Sequence, residues 1–318
     1  MKTIRLGTRK SRLALWQTRH VAALLKQQHS DVAVEIVPIV TLGDRVTDRP
    51  LSELGGTAVF TKEIESSLLD HTCDMAVHSL KDLATVMPDG LTIAGYLPRE
   101  DPRDVFISKS GVSLQELPAG SVIGTSSLRR IALVKNLRPD LNVVSLRGNV
   151  PTRLGAVGKS VPDAKPYTGP PLDGTIMAAA GIKRLAFQEA VTDHLPLTRF
   201  TPAPGQGIIA LQTRSEDTST TAIAQSLECA KSRSAAIAER TFLNVVEGGC
   251  RLPIGAFAML SDTSVELAGV ILSLDGQTVV RGREEGANPA DVGCALAKRL
   301  LAKGGLDILK QVNESITQ

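Results

Sequence analysis

A dense group of basic residues lies in the middle of the chain. Residues 121–160 contain seven Lys or Arg residues and one acid, Asp140, so the net charge of this stretch is +6. Two parts of it, 124–130 and 146–153, fall where a predicted strand ends and a predicted helix begins, which is where α/β proteins bind ligands. Free N–H groups at helix starts and several guanidinium groups suit a polyanion, with carboxylates favoured and phosphate not excluded. A solvated basic helix face is the alternative.

Two further segments place polar side chains at strand ends. Thr8-Arg-Lys-Ser11 repeats the basic pattern at the first strand-to-helix junction. His78-Ser-Leu-Lys-Asp82 follows a short apolar strand, and nearby positive charge would keep the Asp82 carboxylate ionised. Such a carboxylate could stabilise a developing cation or transfer a proton, but a surface pair with Lys81 or a helix cap is an equally good interpretation. We expect His78 to bond to the backbone.

Cys250 differs from the other cysteines in its surroundings. Glu247-Gly-Gly-Cys-Arg-Leu-Pro253 predicts a tight loop after a helix, and the neighbouring cation favours the thiolate. On this evidence alone, a reactive thiol and a structural one are equally good interpretations. The other cysteines, Cys73, Cys229 and Cys294, are predicted to be structural, and neither disulfides nor a metal site is expected from the spacing.

The elements that must position these residues follow an alternating pattern. Strands at 4–7, 32–41, 75–77 and 91–96 alternate with helices at 11–28 and 61–69, which predicts a largely parallel, doubly wound α/β sheet. The pattern restarts after the proline-bounded segment 98–102, and the proline-rich residues 155–174 are predicted to be an exposed excursion. The strand at 208–212 is expected to return to the first unit.

The last part of the chain changes to a helix at 232–246, three strands and a final helix at 289–302. Two of the strands join through Asp275-Gly276, a hairpin turn, so this unit is predicted to be α+β with an antiparallel sheet. The predicted domains are therefore residues 1–98 with 199–217, residues 102–198, and residues 218–318. We place the carboxylate-binding groups in the second domain and Cys250 in the third.

Composition excludes several function classes. The chain has 318 residues, a net charge of only +3 and 3% aromatic residues, so neither nucleic acid nor an anionic membrane is an expected partner. No stretch reaches the roughly 18 consecutive apolar residues of a membrane span, and the first residues lack an apolar leader. We therefore expect a soluble cytoplasmic protein, acting as a monomer.

Eight motifs, in one order along nearly the whole chain, resemble the porphobilinogen deaminase (hydroxymethylbilane synthase) family. They are Thr8-Arg-Lys-Ser-Arg-Leu-Ala-Leu-Trp-Gln17, His78-Ser-Leu-Lys-Asp82, Arg99-Glu-Asp-Pro-Arg-Asp104, Gly124-Thr-Ser-Ser-Leu-Arg-Arg130, Leu146-Arg-Gly-Asn149, Ala180-Gly-Ile-Lys-Arg-Leu185, Gly205-Gln-Gly207 and Glu247-Gly-Gly-Cys250. The resemblance implies two domains like the lobes of type II periplasmic binding proteins and a third α+β domain. It also implies the head-to-tail condensation of four porphobilinogen molecules, with release of ammonia, to hydroxymethylbilane.

The resemblance also assigns residues. It implies a dipyrromethane cofactor attached by a thioether to Cys250 and a catalytic role for Asp82. Further cofactor-binding residues would be Lys81, Thr125, Ser127, Arg129, Arg130, Arg147 and Gly148. Substrate-binding residues would be Arg9, Ser11, Gln17, Phe60 and Arg153. Because each pyrrole carries an acetate and a propionate, the growing chain is a polyanion that needs many such partners.

The chain departs from the family pattern in a few places. Thr57 stands where the family commonly has a lysine on a mobile loop, Ala84 stands where proline is common, and the segment 155–174 is longer than in many relatives. Two other functions therefore stay open. One is a family member that binds the cofactor without turnover, and the other is a cytosolic bilobed anion-binding protein.

Overall fold

The first domain is built on a mixed five-stranded sheet. The computed structural model describes residues 2–45, 61–246 and 252–317. The strands of this sheet are β1 (Lys2–Arg9), β2 (Val32–Ile39), β3 (Met75–Ser79), β4 (Leu91–Tyr96) and β10 (Ile209–Arg214). Its helices are α1 (Arg12–Gln28), α2 (Leu42–Arg45) and α3 (Lys62–Leu69). Ser11 caps α1 by accepting a hydrogen bond from the Ala14 N–H at 3.3 Å, and Val21 and Leu25 turn into the core.

The strand order of this sheet is β2-β1-β3-β10-β4. Strand β1 runs parallel to β2 and β3, whereas β10 is antiparallel to both β3 and β4. The predicted return strand is thus confirmed, and the sheet is mixed because this strand enters it from the opposite direction. Since β1 and β3 are parallel neighbours, the residues that follow them meet at one edge of the sheet.

The second domain repeats this plan with a sheet of order β7-β6-β8-β5-β9. Its strands are β5 (Asp104–Ser108), β6 (Val122–Gly124), β7 (Asn142–Val144), β8 (Gly174–Ala178) and β9 (Asp193–His194), and its helices are α4 (Leu128–Leu137), α5 (Val150–Ala156) and α6 (Ala179–Arg184). Strand β5, which follows the crossing from the first domain, is antiparallel to β8. The excursion 157–173 holds no helix or strand, and its Asp163 lies 3.6 Å from Arg12 of α1.

The third domain packs helices on a three-stranded antiparallel sheet. Its elements are α8 (Ala230–Val245), β11 (Ile254–Leu260), β12 (Val265–Leu272), β13 (Val279–Gly286), α9 (Pro289–Leu300) and α10 (Leu306–Thr317). The hairpin at Asp275-Gly276 joins β12 to β13 as predicted. Sequence periodicity missed α10, which follows a π-helical segment at 301–305 where Gly304 has a φ of +104°.

A helix that the sequence pattern did not predict, α7 (Thr218–Gln225), belongs with the first domain. Its Ala224, and Leu227 just after it, lie in the first hydrophobic core beside Leu211 of β10. The segment 218–227, which we assign from sequence to the third domain, therefore packs with the first. The reason is that α7 directly follows the returning strand and covers it.

A buried carboxylate joins the third domain to the two segments that connect the first and second domains. Glu239 of α8 is fully buried and accepts bonds from the Arg99 guanidinium at 2.5 Å, the Gly205 N–H at 2.6 Å and the Ala258 N–H at 2.7 Å. Arg99 follows the first sheet, Gly205 lies in the return segment and Ala258 lies in β11. This one side chain therefore ties the third domain to both connections between the other two. Across the part of the chain the structure describes, no helix is both long and apolar enough to cross a membrane.

Candidate active site

The edge of the first sheet collects four of the predicted site residues. A small cavity of about 60 Å³ is lined there by Arg9 at the end of β1, Ser11 just after it, Gln17 of α1, and Asp82 after β3. Gln17 is buried, and its amide exchanges hydrogen bonds with the Ser79 hydroxyl at 2.9 and 3.3 Å. This bond ties α1 to the end of β3, so the Asp82 backbone is held against the helix.

Lys81 and Asp82 occupy a single 3-10 turn, Leu80–Asp82, that follows β3 without a break. The Lys81 ammonium donates to the Gln206 side-chain oxygen at 3.2 Å. Burial lowers the pKa of Lys81 to about 8, with Asp82 opposing this shift and Arg130 adding to it. The two side chains of the first domain therefore share one electrostatic environment with a guanidinium of the second domain.

The second domain presents Arg153 to the same space. Its Nε donates to the Gly148 carbonyl at 2.9 Å, across the first turn of α5. Burial and the like charges of Arg130 and Arg147 lower the pKa of Arg153 to about 10, whereas Asp82 opposes the shift. Asp82 of the first domain thus lies close enough to Arg153 of the second domain to act on its charge.

The turn before α5 depends on a glycine. Gly148 has a φ of +116°, a conformation that L side chains rarely adopt, and an added Cβ would lie 2.8 Å from Thr152 Cγ2. Asn149 then caps α5 by accepting from the N–H and the hydroxyl of Thr152 at 2.9 and 2.8 Å. The backbone of this turn therefore sets the positions of Arg147, which precedes Gly148, and of Arg153, which follows it in α5.

The turn before α4 holds two of the predicted hydroxyl groups. Thr125 is buried after β6, donates its N–H to the Val144 carbonyl at 2.9 Å, and accepts the Ser127 N–H at its hydroxyl at 3.3 Å. Ser127 stands at the N-cap of α4, yet its side chain makes no capping bond. The Ser127 hydroxyl is therefore not used by the helix and can accept or donate to a ligand.

Arg129 and Arg130 point inward and pair with Asp104, the first residue of β5. The distances to the Asp104 oxygens are 2.8 Å from Arg129 and 2.7 Å from Arg130, and all three side chains are buried. Although burial opposes its ionisation, the two guanidinium groups hold the pKa of Asp104 far below its usual value. Arg129 also donates to the Thr201 carbonyl at 2.8 Å, so its bonds serve the protein itself. Arg130 differs, because its Nε is buried without a partner among the described residues.

From sequence we expected His78 to bond to the backbone, but its imidazole bonds to a side chain. Its Nε2 lies 3.0 Å from the Gln212 amide oxygen of β10. Burial lowers the pKa of His78 to about 4, against the raising effect of Gln212 and with a further lowering effect of Arg9. The imidazole is therefore neutral at pH 7 and joins β3 to the returning strand.

Three residues at the site received no role from sequence: Asp104, Gln206 and Arg184. The buried Gln206 amide donates to the Pro102 carbonyl at 2.8 Å and to Asp104 at 3.0 Å, while its oxygen accepts from Lys81. Arg184 donates to the Gly207 carbonyl at 2.7 Å and lies over the Trp16 ring at 5.9 Å. The signal for this region is Gly205-Gln-Gly207, because φ values of +75° and +93° at its glycines mark a turn that few sequences adopt.

Some predicted residues lie outside the described part of the chain, namely Cys250, Phe60 and Thr57. Of the other cysteines, Cys73 is buried, and its burial raises the thiol pKa. Cys229 stands at the N-cap of α8, where bonds from Ser232 lower its pKa in spite of burial. Within residues 2–45, 61–246 and 252–317, no group of three His, Cys, Asp or Glu side chains could hold a metal ion.

Comparisons with known proteins bear on both the fold and the site. Residues 4–222 match the family described as porphobilinogen deaminase, dipyromethane cofactor binding domain, and residues 234–302 match its C-terminal domain. The chain is 42% identical over 319 residues to a porphobilinogen deaminase of Carboxydothermus hydrogenoformans, covering 100% of this chain and 99% of the relative. It is 45% identical to one of Syntrophomonas wolfei, covering 97% of this chain and 98% of the relative.

A solved structure with some likeness is the periplasmic aliphatic sulphonate binding protein SsuA from Escherichia coli. The TM-score is 0.41 at 11% identity, covering 77% of this chain and 70% of that one. The two α/β domains and the α+β domain expected from sequence are confirmed by the sheet topology. Because identity to the two relatives exceeds 40% over almost their whole length, and both domains of one family match in order, the chain belongs to the porphobilinogen deaminase family.

Proposed function

We propose that this chain condenses four porphobilinogen molecules head to tail, releasing ammonia at each step, and yields hydroxymethylbilane, as a transferase of tetrapyrrole biosynthesis. The observation that carries the proposal is the run of contacts that brings the two domains together at the cleft: Lys81 donates to Gln206, Gln206 donates to Asp104, and Asp104 pairs with Arg130. Such a cleft suits a substrate that carries carboxylates and becomes cationic while it reacts.

The residues present fit a dipyrromethane cofactor. Its acetate and propionate groups require several hydrogen-bond donors in one place, and Arg130 offers a buried Nε that has no partner among the described residues. The Ser127 hydroxyl is not used by its helix. When bound, the cofactor supplies the free pyrrole α-carbon to which substrate is joined and keeps the product chain attached to the protein. We propose a thioether to Cys250 as that attachment.

We assign the donors of the cleft to the carboxylates of the pyrroles. On the first domain, Arg9 and Ser11 would bind substrate, with Gln17 supporting them through Ser79. On the second domain, the donors are the hydroxyl and guanidinium groups of Thr125, Ser127, Arg130, Arg147 and Arg153, beside the backbone of Gly148. Arg129 would act mainly by holding Asp104, since its described bonds are internal. Lys81 would bind a cofactor carboxylate in its protonated form, and Phe60 would contact substrate.

Asp82 is the proposed catalytic residue. Ammonia leaves the aminomethyl group of porphobilinogen with the bonding electron pair, and an electron-poor methylene-pyrrolenine cation remains. The Asp82 carboxylate stabilises this cation and accepts a hydrogen bond from the pyrrole N–H, while the surrounding guanidinium groups bind the acetate and propionate groups of the pyrrole. Formation of the new carbon–carbon bond releases one ring proton, which Asp82 can accept and pass to solvent.

An intact-mass measurement tests the cofactor and the reaction together. Purified wild-type protein should exceed the chain mass by two linked pyrroles, and Cys250→Ala should remove that excess and all bilane formation. Bare-chain mass in a protein that still forms bilane would contradict the thioether. Cofactor mass without any bilane formation would instead identify a family member that has lost turnover.

The role of Asp82 is tested with a matched pair of variants. Asp82→Asn should retain the cofactor mass yet release ammonia at least about a hundredfold more slowly, since a positioned acid–base group contributes a factor of this order or more. The exposed Asp89→Asn, which removes the same charge seven residues away, should keep the wild-type rate. An Asp82→Asn protein with the wild-type rate would remove this residue from the mechanism.

We further propose that a monomer is active and that it acts in the cytoplasm. Sedimentation of the cofactor-loaded enzyme at assay concentration tests the first statement. Fractionation of the producing cells tests the second.

A further inference from the structure

A second concave surface lies between the second and third domains, away from the cleft described above. It has a volume of about 440 Å³ and is lined by Gln115, Asn136, Leu137, Arg138, Arg199 and Arg281. Arg138 follows α4, Arg281 belongs to β13, and Arg199 lies in the connection that leaves the second domain. None of the residues assigned to the reaction is among them.

Arg281 brings an uncompensated charge to this cavity. Its guanidinium donates to the Thr198 carbonyl at 3.0 Å and to the Asn136 side-chain oxygen at 3.2 Å, and both acceptors are neutral. The Asn136 amide in turn donates to the Gly276 carbonyl at 2.9 Å, in the hairpin of the third domain. These bonds hold the Arg281 fork in one orientation without neutralising it, and such preorganisation lowers the cost of binding a ligand.

Arg199 adds a second positive charge beside it. In the described part of the chain, its exposed side chain makes no hydrogen bond or ion pair. Burial and the repulsion from Arg199 lower the pKa of Arg281, which is the effect of two like charges that lack a shared counter-ion. The free energy of this pair would become more favourable if an anion were bound between the two groups.

Arg138, in contrast to Arg199 and Arg281, is neutralised by a carboxylate. It forms two bonds to Asp140, at 2.8 and 2.5 Å, and donates to the carbonyls of Leu114 and Leu117. It therefore forms a wall of the cavity and adds little net charge. The cavity keeps the charges of Arg199 and Arg281, and its size exceeds that of a single phosphate or acetate.

We propose that this cavity is a second anion site, which binds a small metabolite bearing two or more phosphate or carboxylate groups. Planar guanidinium forks bind the oxygens of both groups in pairs. A ligand held by Arg281 of the third domain and Arg199 of the inter-domain connection would link these two parts of the chain through one molecule. The site is independent of the catalytic cleft, since the two share no residue.

Calorimetric titration of the cofactor-loaded enzyme with inorganic pyrophosphate and, separately, with citrate tests the proposal. Arg199→Ala should weaken binding of at least one probe tenfold or more. The exposed Arg19→Ala removes the same charge from α1 and should leave binding unchanged. Arg147→Ala, which alters the catalytic cleft, should also leave this binding event in place. Binding of pyrophosphate identifies phosphate as the ligand class, and binding of citrate identifies carboxylate.

Three results would overturn the proposal. The first is that neither probe binds outside the cleft altered by Arg147→Ala. The second is that Arg19→Ala and Arg199→Ala weaken binding equally, which would show a general charge effect. The third is unchanged binding in Arg199→Ala. Because the Arg199 side chain is exposed and makes no described hydrogen bond or ion pair, its replacement leaves folding intact, and circular dichroism checks this directly.

Discussion

Replacement of Glu239 by glutamine should uncouple the third domain from the segments that connect the first two. Its carboxylate is fully buried and accepts four bonds, two from the Arg99 guanidinium and one each from the Gly205 and Ala258 N–H groups. Glutamine keeps the shape but has one oxygen acceptor and an NH₂ group. At least one N–H donor would then face another donor, and the Arg99 guanidinium, whose side chain is only 13% exposed, would lose its counter-ion.

The expected cost follows from these contacts. Removing one partner of a buried ion pair destabilises a protein by about 3–5 kcal/mol, because the remaining charge stays buried. A buried N–H left without an acceptor costs about 1–3 kcal/mol, and we count this cost within the same range. We therefore expect Glu239→Gln to lower the free energy of unfolding by about 3–5 kcal/mol.

Urea unfolding monitored by two probes measures this loss. The single tryptophan, Trp16, lies in α1 and reports on the first domain, whereas far-ultraviolet circular dichroism reports on all three. In the variant, the Trp16 transition should separate from the circular dichroism transition, since the third domain no longer stabilises the first. The control is Glu228→Gln, which removes an exposed contact to Arg233 at 3.7 Å and should cost less than about 1 kcal/mol. A loss below about 1 kcal/mol in Glu239→Gln, with coincident transitions, would refute the reasoning.

Two further predictions concern the cleft. Asp104→Asn leaves Arg129 and Arg130 as an unneutralised buried pair, so unfolding in urea at pH 7 should show a loss of about 3–5 kcal/mol. Because the pKa of Asp104 is lowered in the folded protein, its contribution to the free energy of unfolding is complete above about pH 4 and is lost as the pH falls further. The free energy of unfolding of the variant should therefore depend less steeply on pH in acid than that of the wild type. Equal slopes of the two curves would contradict this. Lys81, with a pKa of about 8, loses its charge as the pH rises through that value, so its ion pair with a cofactor carboxylate should weaken and the rate of bilane formation should fall severalfold from pH 7 to pH 9. Lys81→Arg, which stays charged, should flatten that fall, and initial-rate measurements would show an equally steep fall if Lys81 were not involved.

The elements of the α/β domains could be predicted well because their signals are local. Alternating apolar runs marked β1, β2 and β3, and Ser11 marked the start of α1, as the structure confirms. The pattern failed at α7 and α10. Helix α7 is short and rich in threonine, and its stability comes from packing on the first core, which no local pattern shows.

The candidate site could be predicted in part for the same reason. Arg9, Ser11, Gln17 and Asp82 follow neighbouring parallel strands or their helix, so the topology alone brings them to one edge. Gln206 could not be assigned a role, because it reaches Lys81 from a position more than a hundred residues away in the chain. Its contribution depends on how the return segment folds back.

The sequence by itself determined where positive charge collects, which strands end at it, and which family the motifs resemble. Only the tertiary structure decided how those charges are paired. Arg129 and Arg130 are adjacent, identical in type and both paired with Asp104, yet Arg129 also donates to the Thr201 carbonyl, whereas Arg130 donates to the Ile176 carbonyl and keeps an unpartnered Nε among the described residues. The physical reason is that the charge of a residue is a property of its type, whereas its counter-ion and its burial are set by elements distant in the chain.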